Sequence, residues 1–177
     1  MIDPIRARAD WEAELALVVG SRARHAGPEE ARRALAGYSV LNDITARDWQ
    51  GRSSQYLQGK TFESTTPLGP WLVTTDDPDA SSGHWPISCD VAGERMQDAD
   101  TEDLLFGPVD IVSYCSEILT LEPGDVIATG TPAGVGYRRQ PPRYLAEGDE
   151  VLTRIDGIGE LRNRCRAEGP SPASPAS

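Results

Sequence analysis

Trp11-Glu-Ala-Glu-Leu-Ala-Leu-Val-Val19 is the stretch from which the rest of the chain can be read. In an extended strand, Ala13, Leu15, Leu17 and Val19 fall on one side and Glu12, Glu14, Ala16 and Val18 on the other. Beyond Glu14 both sides are apolar, which predicts a strand buried on both faces. Glu12 and Glu14 leave the same face with Cα atoms roughly 7 Å apart. Ala16 and Val18 share that face, so it points inward. Two inward carboxylates repel unless a cation or hydrogen-bond donors compensate them, because an unpaired buried charge is costly. A divalent metal meets that need. The plainer alternative is a solvated strand end with two surface charges.

Working outward, Pro28 to Ala36 reads as a helix with proline at its first position, acids in the first turn and Gly37 as its stop. Tyr38 to Leu41 is a second strand, and it delivers Asn42-Asp43 at its end. Trp71 to Thr74 and Ile87 to Val91 are further strands; the latter turns at Ala92-Gly93-Glu94 into Arg95 to Gln97. Pro108 to Leu119 carries Val109, Val112, Cys115 and Leu119 on one helical stripe. Asp125 to Thr129 is a strand running into Gly130-Thr-Pro-Ala-Gly-Val-Gly136. Glu150 to Ile155 pairs with Ile158 to Asn163 across Asp156-Gly157. Strands outnumber helices, and 17 glycines and 14 prolines separate them as turn formers. The expectation is an α+β, mainly β domain, a rolled sheet or barrel with peripheral helices. It divides into a short lead segment (1–10), a folded domain (11–166) and a disordered tail (167–177) rich in proline, serine and alanine.

Composition narrows the function. The 177 residues hold 17 basic and 28 acidic side chains, a net charge of −11, which argues against a phosphate-backbone binder. No apolar run approaches the roughly 18 residues that span a bilayer. Met1 to Asp10 is charged and lacks a signal-peptide core. A cytoplasmic protein without nucleic-acid or membrane partners is expected. Cys89, Cys115 and Cys165 are widely spaced and form neither a disulfide framework nor a zinc knuckle. With two histidines in the chain, a metal would sit on oxygen.

Asp43 is a third candidate ligand, its alternative role being the N-cap of the turn that follows. Three carboxylates make a hard oxygen site suited to Mg2+, Mn2+ or Ca2+. Gly59-Lys60-Thr61 is not a phosphate loop, since Ser54 stands where that motif needs glycine. Lys60 is nonetheless the only lysine in an arginine-rich chain. Asp98-Ala-Asp100-Thr-Glu102 fails as a calcium loop because Asp103 replaces its glycine and Val109 its bidentate glutamate. The glycines of Gly130 to Gly136 allow close backbone approach to an anionic group, or simply make a long turn. Their spacing is not that of a dinucleotide site, and no GxSxG elbow is present.

In chain order, WEAELALVVG, GYSVLNDITARDWQ, LQGKTFESTTPLGPW, LTLEPGDVIATGTPAGVG and GDEVLTRIDGIGELRNR resemble the fumarylacetoacetate hydrolase family from Trp11 to about Arg164. The resemblance implies a mixed β-roll with flanking helices, a homodimer, and a Mg2+ or Mn2+ site. It implies Glu12, Glu14 and Asp43 as the metal carboxylates, Lys60 facing the substrate oxyanion and Thr131 binding the substrate carboxylate. Arg47, Gln50, Gly59 and Gly130 would line the substrate pocket. The implied chemistry is hydrolysis, decarboxylation or isomerisation of a small 2-oxo or 1,3-dioxo acid through a stabilised enolate. Many members use a histidine paired with glutamate, upstream of the ExE strand, to activate water. The ten residues before Trp11 hold no histidine, and neither His25 nor His84 matches that position. The chain therefore reads as an N-terminally truncated member, and the alternative function is a non-catalytic one that binds metal or dimerises without turnover.

Overall fold

The computed structural model describes residues 8–80 and 82–167. Two strands stand at the start, β1 (Ala9–Asp10) and β2 (Ala13–Val19), followed by helix α1 (Pro28–Ala34) and strand β3 (Leu35–Asn42). A short strand β4 (Thr45–Ala46) runs straight into the single turn of α2 (Arg47–Gln50). Then come β5 (Leu68–Thr74), the hairpin β6 (Pro86–Val91) and β7 (Glu94–Asp100), helix α3 (Pro108–Ile118), β8 (Val126–Ala128), and the hairpin β9 (Glu150–Ile155) and β10 (Gly159–Arg164).

The strands form two four-stranded sheets, β5-β3-β2-β8 and β10-β9-β6-β7, with a two-stranded ribbon of β1 and β4. The sheets pack face to face, β9 and β10 over β3, and β6 and β9 over β2. This is the expected mainly β roll with peripheral helices. Its ladders are antiparallel throughout the described residues, rather than mixed.

Strand β2 lies between β3 and β8 and is buried on both faces, as its alternation predicts. Leu15 and Leu17 are almost inaccessible, and with Val40, Val91, Ile155 and Ile158 they form the centre of the core. Burial of each such side chain stabilises the fold by about 1.5–3 kcal/mol. Trp11 is also fully buried, just ahead of the strand, and donates its indole N–H to the Gly134 carbonyl at 3.2 Å.

Three local readings need correction. Helix α1 ends at Ala34, and Gly37 is not its stop but a residue of β3. Leu35 pairs with Val19 across β2, so sheet pairing overrides helix continuation. A Cβ on Gly37 would collide with the Val73 carbonyl oxygen, so glycine is what lets β5 close on β3. On α3 the buried stripe is narrower than expected. Val112 and Ser116 are buried while Leu119 is half exposed, because the helix packs through hydrogen bonds from Ser113 and to Ser116 against the Ala26 backbone. Ile158 belongs to the turn between β9 and β10, where it is buried. The Ala92-Gly93 turn is as predicted, both residues having positive φ (51° and 81°).

Ala9 and Asp10, assigned from sequence to the lead segment, pair with Ala46 and Thr45. The expected disordered tail, apart from Ala167, lies outside the described residues. The three cysteines are free, and burial pushes the Cys89 and Cys165 thiols up to about 12, leaving them unreactive near neutral pH. No helix among the described residues is long and apolar enough to cross a membrane.

Candidate functional site

The β2 register sets the site. Because β2 pairs with β3 with Ala13 opposite Asn42, Glu12 and Glu14 stand beside the end of β3, where Asp43 follows. Asp43 is fixed there by its own N–H, which donates to the Glu12 carbonyl at 2.9 Å. Asn42 accepts from the Glu12 N–H at 2.9 Å and donates to the Thr153 hydroxyl at 2.8 Å, tying this corner to the second sheet. Glu12, Glu14 and Asp43 each present a carboxylate oxygen, and the three oxygens lie within 4.8 Å of one another. Glu12 and Glu14 are buried. The solvated-strand-end alternative is thereby excluded. Asp43 is also not a helix cap, since α2 begins at Arg47 with Ala46 as its N-cap.

Lys60 closes the cluster. It follows the 3-10 turn Tyr56–Gly59, and its ammonium donates to Glu12 Oε2 at 2.7 Å, to the Thr45 hydroxyl at 3.1 Å, and to Asp43 Oδ2. Arg47 takes the other Glu12 oxygen, Oε1, at 2.6 Å and holds Gln50 Oε1 at 3.0 Å. Gly59 is buried against α2; a Cβ there would stand 2.8 Å from the Gln50 backbone nitrogen, so its visible role is close packing. Gly130 donates its N–H to Glu14 Oε2 at 2.7 Å. Thr131 donates its hydroxyl proton to the Ala13 carbonyl at 2.9 Å and accepts from the Gln97 amide at 2.8 Å.

Burial dominates the electrostatics. It raises the Glu14 carboxyl to about 7, against a smaller lowering by the Gly130 N–H, and the neighbouring Asp43 and Glu12 charges raise it further. Burial also raises Asp43, partly offset by Lys60. For Lys60, burial lowers the pKa, but its hydrogen bonds to Asp43 and Glu12 outweigh that and hold the ammonium above its ordinary value. Three convergent carboxylates, one of them raised to about 7 by desolvation, fit a hard divalent cation, whose charge would compensate theirs.

Two cavities flank the cluster. One, of about 410 Å³, is lined by Glu12, Arg47, Gln50, Gly51, Tyr56 and Tyr137. The other, of about 300 Å³, lies beside Thr129 to Pro132 and is walled by Leu15, Ile87 and the 100–105 segment. The first gathers Arg47 and Gln50 and the second Gly130 and Thr131, so the residues expected to line one substrate pocket are divided between two cavities. Neither histidine joins them: His25 pairs with Glu117 and His84 with Asp100, each on an exposed surface.

Four participants escape the sequence reading. Gln97, almost fully buried, accepts from the Ala13 N–H at 3.0 Å and holds Thr131. Asp10, fully buried, binds Arg47 Nε at 2.9 Å. Tyr137 lies under the Arg47 guanidinium at 4.2 Å, and Asn42 orients Glu12. Asp10 extends the Glu12, Glu14 alternation by one step, which is the one available sequence clue. Nothing in the local pattern marks the other three.

Known proteins share this arrangement of chain. A family model described as fumarylacetoacetate (FAA) hydrolase, C-terminal, matches residues 2–166. The mitochondrial oxaloacetate tautomerase FAHD2A of Homo sapiens is 42% identical over 166 residues, covering 93% of this chain and 52% of that protein. The fumarylacetoacetate hydrolase of psychrophilic Exiguobacterium antarcticum superposes with a TM-score of 0.87 at 41% identity, over 94% of this chain and 62% of that one. The fumarylpyruvate hydrolase of Pseudomonas aeruginosa, solved in complex with Mn2+ and pyruvate, has a TM-score of 0.80 at 34% identity, over 92% of this chain and 67% of that one. The chain thus spans about half the length of the curated relatives it matches. The family match spans the sequence blocks from Trp11 to the β10 strand, and the chain belongs to the fumarylacetoacetate hydrolase family.

Proposed function

We propose that this protein is a divalent-metal-dependent enzyme acting on a small 2-oxo or 1,3-dioxo carboxylic acid. The observation that carries the reading is the convergence of Glu12, Glu14 and Asp43 within 4.8 Å, beside the Lys60 ammonium. Glu12 Oε2, Glu14 and Asp43 would hold Mg2+ or Mn2+, a Lewis acid that draws charge from a substrate carbonyl when bound. Support for the metal includes the Mn2+ and pyruvate named with the Pseudomonas aeruginosa hydrolase.

The chain's own groups supply the rest. Hydrolysis, decarboxylation and tautomerisation of oxo acids share one need, stabilisation of negative charge that develops on the carbonyl oxygen as an enolate forms. Lys60 is a fixed cation beside that position, held by Glu12, Asp43 and Thr45 so that no reorganisation is needed as charge develops. Arg47 and Gln50 line the adjoining cavity and orient the acid there. Thr131 lines the other cavity, beside Gly130, and its proton rests on the Ala13 carbonyl, so its hydroxyl would have to turn before it could donate to a substrate carboxylate. Tautomerisation needs a proton moved between carbon and oxygen and no hydrolytic water, and it is the reaction printed for the human relative.

A second reading, metal binding or dimerisation without turnover, is favoured by the same Thr131 bond and by Lys60 being paired with two carboxylates. The homodimer and a cytoplasmic location belong to the proposal as well. Leu105, Phe106, Tyr114 and Ile118, exposed on and before α3, support the former.

The test is turnover of oxaloacetate and of an acylpyruvate by purified protein, with Mn2+ and with EDTA. Metal-dependent turnover, lost at least a hundredfold in Lys60→Ala with Mn2+ binding retained, is the expected result. Mn2+ binding with no turnover of either substrate would establish the second reading instead, and no Mn2+ response at all would remove the metal site from both readings and leave only dimerisation.

A further inference from the structure

Asp10 is the most completely engaged side chain near the site. It has no solvent exposure, and its two oxygens accept four hydrogen bonds. Oδ1 takes the N–H groups of Trp11 at 2.9 Å and Gly136 at 2.6 Å. Oδ2 takes the Tyr137 N–H at 3.0 Å and Arg47 Nε at 2.9 Å. The guanidinium it holds pairs by charge with Glu12 Oε1 at 2.6 Å through one terminal nitrogen, which makes no hydrogen bond; the other terminal nitrogen donates to Gln50 at 3.0 Å, and its face lies 4.2 Å over the Tyr137 ring. One buried carboxylate therefore fixes both an arginine on α2 and the 136–137 turn, two walls of the same 410 Å³ cavity.

We infer that Asp10 is a positioning residue for the carboxylate cluster, acting through Arg47. The inference rests on the metal-site reading above. With Asp10 in place, Arg47 is paired with a carboxylate outside the cluster as well as with Glu12, whose Oε1 faces arginine while its Oε2 faces Lys60 and the cluster. Without the Asp10 charge, the guanidinium would keep Glu12 as its one directly paired carboxylate and bear on it alone. It would compete with a divalent cation by charge and by occupying the ligand. The direction is set by electrostatics: neutralising Asp10 adds net positive charge beside the cluster and weakens cation binding. Lost partners of this kind, one bond removed from a ligand, cost about 10–100-fold in metal affinity.

The experiment is calorimetric titration of Mn2+ into the parent, Asp10→Asn, Arg47→Gln and the double variant. Asp10→Asn should bind at least tenfold more weakly, and the same change should cost less than threefold in the Arg47→Gln background. Equal losses in both backgrounds, or parent-like affinity of Asp10→Asn, would overturn the inference. Asparagine offers an N–H where four donors converge, so that variant can fail to fold. The parent then decides, through the Arg47 Nε–H resonance assigned by its absence in Arg47→Lys. Slow solvent exchange of that proton with and without Mg2+ supports the anchor, and its loss on Mg2+ loading refutes it. Glu14→Ala is the separate control: if it keeps parent Mn2+ affinity, the metal-site reading itself is wrong, whatever Asp10 does.

Discussion

Glu14 and Lys60 show how one residue's environment decides its chemistry. An ExE pair in a short apolar strand is legible as two carboxylates on one face, and Asp43 as a third at the end of the next strand. Their raised affinities for protons follow only from burial, which no local pattern reports. The unfolded chain releases the Glu14 proton near 4.5, whereas the folded one holds it to about 7. The native state thus binds more protons between those values, so this contribution to stability is full below pH 4.5 and is lost as pH rises through 7. Glu14→Gln cannot ionise and keeps a carbonyl oxygen for the Gly130 N–H. In EDTA, the melting temperature of the parent should therefore fall relative to that of Glu14→Gln between pH 4.5 and 7. An offset that stays constant across this window would show that Glu14 does not titrate there. Thr131 makes the opposite point. The family resemblance implied the threonine as a carboxylate-binding residue, but its hydrogen bonds to Ala13 and Gln97 depend on β7 lying beside the loop, a contact 34 residues distant in sequence.

Elements carry the site by how closely they approach. The turn Tyr56–Gly59 and helix α2 meet at Gly59, where a Cβ would lie 2.8 Å from Gln50 and 2.9 Å from the Ala46 oxygen. Arg47 begins α2 and Lys60 follows the turn, so this one contact sets the spacing of the two cations that grip Glu12. Gly59→Ala should lower stability by about 2 kcal/mol, the usual cost of overpacking, and weaken Mn2+ binding about tenfold. Urea denaturation and calorimetry measure the two effects, and parent values in both would show the contact to be soft. The family resemblance implied Gly59 as a pocket residue; here a neighbouring helix packs against it. The same contrast holds at Gly37, read as a helix stop and found inside β3. Helix end and strand start are adjacent in the chain, and pairing with Val73 and Thr74 of β5, invisible locally, decided between them.

For the whole molecule, the cluster sits on β2 and the end of β3, which Asn42 ties to the second sheet through Thr153, so a cation bound there would be linked to global unfolding. Mn2+ at 100 times its dissociation constant should stabilise the native state by about 2.7 kcal/mol at neutral pH or above. Thermal unfolding with Mn2+ and after chelation checks this. A parent whose melting temperature ignores Mn2+, or a Glu14→Ala variant that responds as the parent does, would count against the cluster as the binding site. At this scale the sequence by itself determined the strand alternation, the turn at Ala92-Gly93, the helices opened by Pro28 and Pro108, and the three carboxylates with their lone lysine. Those features depend on side-chain period, backbone φ preference and charge, which are properties of short segments. Tertiary structure alone decided that Asp10, Gln97, Asn42 and Tyr137 support the site, that Gly37 and Gly59 are close-approach positions, and that burial raises the Glu14 carboxyl to about 7. Each of these arises from desolvation or contact between segments distant along the chain, and such quantities exist only once the two sheets have closed on one another.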